Sequence, residues 1–145
     1  MAKMIFVSLP VADVARSTAF YQALGFERDP RFSNAQAASM KWSDAIVVML
    51  AANPFFATLT PKQIVDARAQ SQALFALSFS SKAEVDAITE AAIAAGGGEP
   101  HGPEDLGFMY SRAFEDPDGH GWGPFWMDPA AAEQEPPEHE PTVAA

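Results

Sequence analysis

The chain contains no cysteine, and histidine occurs only three times in 145 residues. The first absence excludes a disulfide framework, a thiolate nucleophile and any cysteine-based zinc site, and it agrees with a reducing cytoplasm. Basic residues are also scarce: nine Lys and Arg stand against nineteen Asp and Glu, for a net charge of −10. Nucleic-acid affinity is carried largely by clustered Lys and Arg, and no such cluster occurs, so a nucleic-acid partner is excluded. Long apolar runs are missing too. The N-terminal stretch Met4 to Ala12 is interrupted by Pro10, ends at Asp13 and follows a single basic residue, Lys3. It is too short to cross a bilayer and reads as a strand rather than a signal peptide or membrane anchor.

What is present suits one ordinary globular domain. The apolar fraction is 48% and the length allows a sizeable core. The last stretch, 129–145, differs in kind, with Glu133, Glu135, Glu138 and Glu140 set among Pro, Ala and Gln. Without apolar periodicity it reads as a loosely docked or mobile solubilising tail, leaving 1–128 as the folded domain.

Local patterns repeat along that domain. Met4 to Leu9 is a β-branched and aromatic run stopped by Pro10. Asp13 then stands as an N-cap before Val14, Thr18, Tyr21 and Leu24, with Gly25 at the C′ position, which predicts a helix over about 14–24. Strands are predicted over Phe26–Phe32, Ala35–Trp42 and Ala45–Leu50, separated by Ser33-Asn34 and Ser43-Asp44. The same order follows later. Leu74–Phe79 is an apolar strand, and Ser81-Lys82-Ala83-Glu84 is a capping box leading into Val85, Ile88, Ala92 and Ala95. Gly96-Gly97-Gly98 ends that helix, a strand is expected near Glu99–His101, and Phe108–Glu115 and His120–Met127 form a hairpin around Asp116-Pro117-Asp118-Gly119. Thr60-Pro61-Lys62-Gln63 supplies an N-cap, an N1 proline and an N3 glutamine, predicting a linker helix over about 60–69. The fold class is therefore α+β, with two tandem βαβββ modules over about 4–52 and 73–128.

These residues resemble a known family. Val11-Ala12-Asp13 through Ser17, then Phe20-Tyr21 and Leu24-Gly25-Phe26, are similar to the opening of a vicinal oxygen chelate domain. Phe114-Glu115-Asp116-Pro117-Asp118-Gly119-His120 is similar to its closing hairpin, and Ala94-Ala95-Gly96-Gly97 to the end of its second helix. The superfamily includes glyoxalases, bleomycin-resistance proteins and extradiol dioxygenases. The resemblance covers residues 4 to about 128. It implies an open, cup-shaped mixed sheet with helices outside and a ligand site in the concave face. By period-two alternation Ile5, Val7 and Leu9 would face the helices, and Phe6 and Ser8 the cup. Phe75, Leu77 and Phe79 would likewise face outward, and Leu74, Ala76 and Ser78 inward.

Family members with a metal take its ligands from the first and last strands of each module. Carried over by motif, those positions fall on Phe6, Met49, Ala76 and Gly123, none of which has a side chain able to bind a divalent cation. A slip in register would not restore them, since Ile5–Val11, Ala45–Ala52 and Ala73–Phe79 contain no His, Asp or Glu. No metal and no other cofactor is expected. His101, His120 and His139 read as solvated residues, and Asp116 and Asp118 as turn residues bonding their own backbone.

A tight turn at 116–119 would set Arg112 across from Gly123 and Tyr110 across from Phe125, aiming a guanidinium and a phenol into the cup; a one-residue bulge would substitute Ser111 and Met109. Trp42, Met40, Phe55 and Phe56 are further candidates for a wall or lid. The expected ligand site is thus Phe6, Ser8, Met49, Ala76, Tyr110, Arg112, Gly123 and Phe125. The expected function is binding of an apolar or aromatic small molecule without a metal, in a homodimer. The rival expectation is a glyoxalase-like lyase, isomerase or dioxygenase, or a metal-free catalyst using Arg112, Tyr110 or His120.

Overall fold

A computed structural model describes residues 3–132; the expectation for the acidic tail falls beyond them, apart from one helical turn, α4 (Pro129–Ala132). The order in the first half is β1 (Ile5–Val11), α1 (Val14–Ala23), β2 (Glu27–Asp29), β3 (Ala37–Lys41), β4 (Ile46–Ala52) and a short helix α2 (Asn53–Phe56). The second half runs β5 (Leu74–Phe79), α3 (Lys82–Ala94), β6 (Glu104–Asp105), β7 (Met109–Ser111), β8 (Phe114–Glu115) and β9 (Gly121–Met127). The fold is α+β, with one four-stranded mixed sheet in the order β1-β4-β3-β2 and one five-stranded mixed sheet in the order β5-β9-β7-β6, with β8 also on β9. Each sheet pairs its first strand parallel to its last, β1 with β4 and β5 with β9.

Both long helices start where the sequence places caps. Asp13 accepts from the amide of Arg16, and Ser81 from the amide of Glu84, each satisfying an orphan N–H of a first turn. Their inner faces meet the sheets in one core containing Leu9, Phe20, Tyr21, Phe26, Met40, Leu50, Leu77, Ile88, Phe114 and Trp122. Met40 and Trp42, expected as possible lid residues, are core: Met40 is fully buried and Trp42 packs on Phe26 and Phe79.

Four expectations are corrected. Pro10 does not stop β1, because β1 is an edge strand whose outward position needs no N–H donor there. The strand expected over Phe26–Phe32 is confined to β2; Asp29 caps a 3₁₀ turn over Pro30–Phe32, whose proline cannot extend the ladder. The strand expected near Glu99–His101 shrinks to a single bridge at Gly98, and the regular pairing falls later, in β6. The segment 60–69 is not helical. Thr60 Oγ1 accepts from the amide of Lys62, two residues on, which makes a turn instead of a helical cap, and Asp66 closes a second turn at Ala69 and Gln70. The segment is held in place by docking, since Arg68 donates to the carbonyl of Pro117 in the closing hairpin.

Candidate functional site

The closing hairpin decides what faces inward. Pro117 fixes φ near about −65°, which forbids a primed two-residue turn. The chain instead closes a turn from the Gly119 amide to the Asp116 carbonyl, places Gly119 at φ +95°, and pairs Asp116 N–H with the His120 carbonyl. That is a three-residue loop with a left-handed glycine, and it shifts the register by one residue relative to a tight four-residue turn. Ser111 pairs with Phe125 and Tyr110 with Trp126. Arg112 meets Pro124, whose missing N–H removes one ladder bond and separates β7 from β8.

The expected inward aim of Tyr110 and Arg112 is therefore corrected, because a one-residue slip turns every side chain to the other face. Tyr110 donates to Asp86 on α3 at 2.6 Å. Arg112 lies under α3 with 11% of its side chain exposed, paired with Asp86, Glu90 and Glu99 at 3.2, 2.9 and 2.9 Å. Burial alone would lower its pKa, but its bonds to Glu99, Glu90 and Asp86 outweigh that and hold it above the ordinary arginine value. Its charge is committed to three carboxylates on the outer side.

The other face of the second sheet carries a cavity of about 640 Å³. Its existence follows from the side chains that alternation sends there. Ala76 and Gly123 sit side by side, Leu74 pairs with Gly121, and Ser111 and Ala113 come from β7 and the link to β8. Ala76, Gly121, Gly123, Ser111 and Ala113 are too small to fill the space over the strands, so a hollow remains. Ser8 and Pro10 of β1 form one side, and Val65 and Ala67 of the linker another. Glu104, Glu115, His101 and His120 also line it.

Of the eight residues expected to bind a ligand, Ser8, Ala76, Gly123 and Arg112 line this cavity, the last without offering its guanidinium. Phe6 lies elsewhere, 58% exposed beside a smaller hollow of about 180 Å³ bordered by Val47, Ser39 and Phe32. Met49, Tyr110 and Phe125 line neither. Sequence reasoning passed over Glu104, Glu115 and the linker residues, and the signal that would have found Glu115 is Pro117, which dictates the register. His120 is not merely solvated: it is half-buried, and Nε2 lies 2.7 Å from the Pro10 carbonyl, so that nitrogen carries the proton and donates. His101 is exposed, and His139 lies outside the described residues.

The positions that the resemblance assigns to metal ligands do not fit a metal. Phe6 pairs with Val47, Ser8 with Met49 and Ala76 with Gly123, and no imidazole or carboxylate is among these six. Among the described residues, no group of three or more His, Asp or Glu is arranged to hold an ion.

Asp116 and Asp118 do more than close their own turn. Asp116 accepts from the amides of Asp118 and His120, and also from the phenol of Tyr21 on α1. Asp118 accepts from the Ala12 amide, the Ser17 hydroxyl and Arg16. The opening motif of the first module thus holds the closing hairpin of the second, and with it one wall of the cavity.

Comparison with known proteins agrees with this architecture. The family model for the glyoxalase/bleomycin resistance protein/dioxygenase superfamily matches residues 3–123. Among solved structures, the hypothetical protein SA1046 from S. aureus is similar at 23% identity and TM-score 0.74, covering 87% of this chain and 94% of that one. A glyoxalase/bleomycin resistance protein/dioxygenase family enzyme from Burkholderia phytofirmans PsJN is similar at 18% identity and TM-score 0.73, covering 87% and 99%. A glyoxalase-related enzyme from Fulvimarina pelagi follows at 20% identity and TM-score 0.72, covering 87% and 88%. At such identities the likeness establishes the fold. A search of curated proteins returns no significant match.

Proposed function

The chain belongs to the glyoxalase/bleomycin resistance protein/dioxygenase superfamily, and on that premise we propose that it binds an apolar or aromatic small molecule, without a metal, in the cavity of its second module. One observation carries the reading: a hollow of about 640 Å³ stands over Ala76 and Gly123, where the resemblance would place metal ligands. A space of that size, walled by Leu74, Val65 and the sheet with a few polar groups, suits a small ligand that gains affinity from apolar burial and orientation from hydrogen bonds.

Screening flat aromatics, acids and quinones by ligand-detected NMR tests it, with every hit repeated on Gly123→Phe. A Cβ at Gly123 would have no neighbour nearer than 3.9 Å, so the backbone tolerates the change while the ring fills the hollow. Hits should bind the parent protein and lose binding to the variant. Hits that bind both alike, or no hits at all, would sink the reading.

Homodimerisation is part of the proposal, supported by the exposed apolar side chains Met4, Ile5, Phe6, Phe32 and Ile46. Sedimentation of the intact chain checks it, and a monomer at high concentration would refute it. The cysteine-free composition supports a cytoplasmic setting; among the described residues, no helix is long and apolar enough to cross a membrane. A second reading, a lyase, isomerase or dioxygenase acting on a carbonyl or aromatic substrate, is favoured by His120 alone. Its ring is oriented by the Pro10 carbonyl and borders the cavity, an arrangement that suits a general base. Turnover of a bound hit that disappears in His120→Gln would favour that reading.

A further inference from the structure

Among the described residues, the charged side chains that line the cavity without an ion-pair partner are carboxylates, and that limits what it can hold. Glu115 faces the cavity because its neighbour Phe114 is buried on the other side, stacked on Trp122. Its backbone is tied in both directions to Gly98, so the carboxylate is carried on a fixed base. Glu104 pairs with Ser111 and shares that inward face. Among the described residues neither carboxylate takes part in an ion pair.

Among the described residues no lysine lines the cavity, and the one arginine that does is neutralised from the far side by Asp86, Glu90 and Glu99. His120 gives its Nε2 proton to Pro10, and His101 places Nδ1 at 3.0 Å from the Gly102 carbonyl. The unpaired formal charge on the lining is therefore that of Glu104 and Glu115, and an anionic guest would meet it uncompensated.

We infer that the cavity selects a flat aromatic molecule bearing a protonated amine or amidine, with Glu115 receiving the cation while the hollow over Ala76 and Gly123 takes the ring. The inference rests on the proposed binding function and narrows its ligand class. It also reverses the preference for acidic guests that an inward Arg112 would have produced. Apolar burial is common to any aromatic guest, so charge selection falls to the carboxylate.

Three probes of one shape separate the contributions: 2-naphthylmethylamine, 2-naphthylmethanol and 2-naphthoate, titrated calorimetrically at neutral pH and low ionic strength. The amine should bind about tenfold more tightly than the alcohol, as a charge-assisted bond in a partly enclosed site allows, and the acid should bind weakest. Added salt should weaken the amine and leave the alcohol unchanged. In Glu115→Gln the amine should fall to the level of the alcohol, whose unchanged affinity shows that the cavity is intact. Naphthoate binding as tightly as the amine, or an amine preference that survives Glu115→Gln, overturns the inference. If all three probes bind alike and Gly123→Phe removes them, the binding function stands and charge selection falls. If none binds, both fall.

Discussion

Tyr21 on α1 donates its phenol hydrogen to Asp116 in the closing hairpin across 2.6 Å, between residues 95 positions apart. The same phenol oxygen accepts from Trp122 Nε1 at 3.1 Å. All three side chains are buried, with Asp116 3% exposed. The aromatic residue of the opening motif and the first aspartate of the closing motif thus form one polar contact inside the core that joins the two modules.

Tyr21→Phe should cost about 2 kcal/mol, because it strands the Trp122 N–H and one Asp116 oxygen in a buried site while leaving the ring packing in place. Urea unfolding of the two proteins measures it. A loss smaller than about 0.5 kcal/mol, the range of ordinary surface substitutions, would mean that water reaches these atoms.

The same phenol predicts a weakness at alkaline pH. Burial first, and then the Asp116 charge, hold the Tyr21 pKa well above its ordinary value. The stability gained by keeping it neutral is complete below about pH 10 and is lost as pH rises from there towards the folded-state value, since only the unfolded phenol ionises in that window. Tyr110, raised mainly by its bond to Asp86, adds a second contribution of the same sign. The urea midpoint should therefore fall from about pH 9.5 to 11, less steeply in Tyr21→Phe. Equal slopes would contradict the assignment.

Arg112→Ala should destabilise the protein by about 1–2 kcal/mol, since Asp86 and Glu90 are solvent-exposed partners while Glu99 and the guanidinium are more buried. Its effect on a neutral cavity ligand should be small, because the guanidinium points towards α3. A titration showing a large affinity loss for a neutral ligand would return Arg112 to the cavity wall.

Gly119→Ala should be among the more damaging single-methyl additions. The residue sits at φ +95°, and an added Cβ would lie 2.7 Å from the Ala67 carbonyl of the docked linker. Strain and clash together should cost about 2–3 kcal/mol. Limited proteolysis should then cut first within 60–73, and an unchanged cleavage pattern would show that the linker does not depend on this contact.

Protein soaked with zinc, nickel, manganese or iron and then desalted should retain less than one equivalent. Phe6, Met49, Ala76 and Gly123 offer no donor side chain. A tightly held equivalent, quantified by elemental analysis, would contradict the metal-free reading.

The sequence by itself determined the strand and helix that open each half, both helix caps, the core-facing Leu9 and Leu77, and the absence of donor side chains at the four positions that the resemblance assigns to a metal. Each of these depends on nearest neighbours and on periods of 2 and 3.6, which a linear reading captures. Pro117 also held the hairpin register in plain sight, because a proline at that point cannot enter a primed turn. Tertiary structure alone decided the rest. Thr60 to Ala69 has helix-start chemistry, but it docks against the closing hairpin as a pair of turns, since local propensity is a weak prior beside packing. The contact between Tyr21 and Asp116, the neutralisation of Arg112 by α3, and the hollow between β1, the linker and the second sheet all join residues distant in sequence. Their partners are chosen by how the modules pack, and no local pattern encodes that choice.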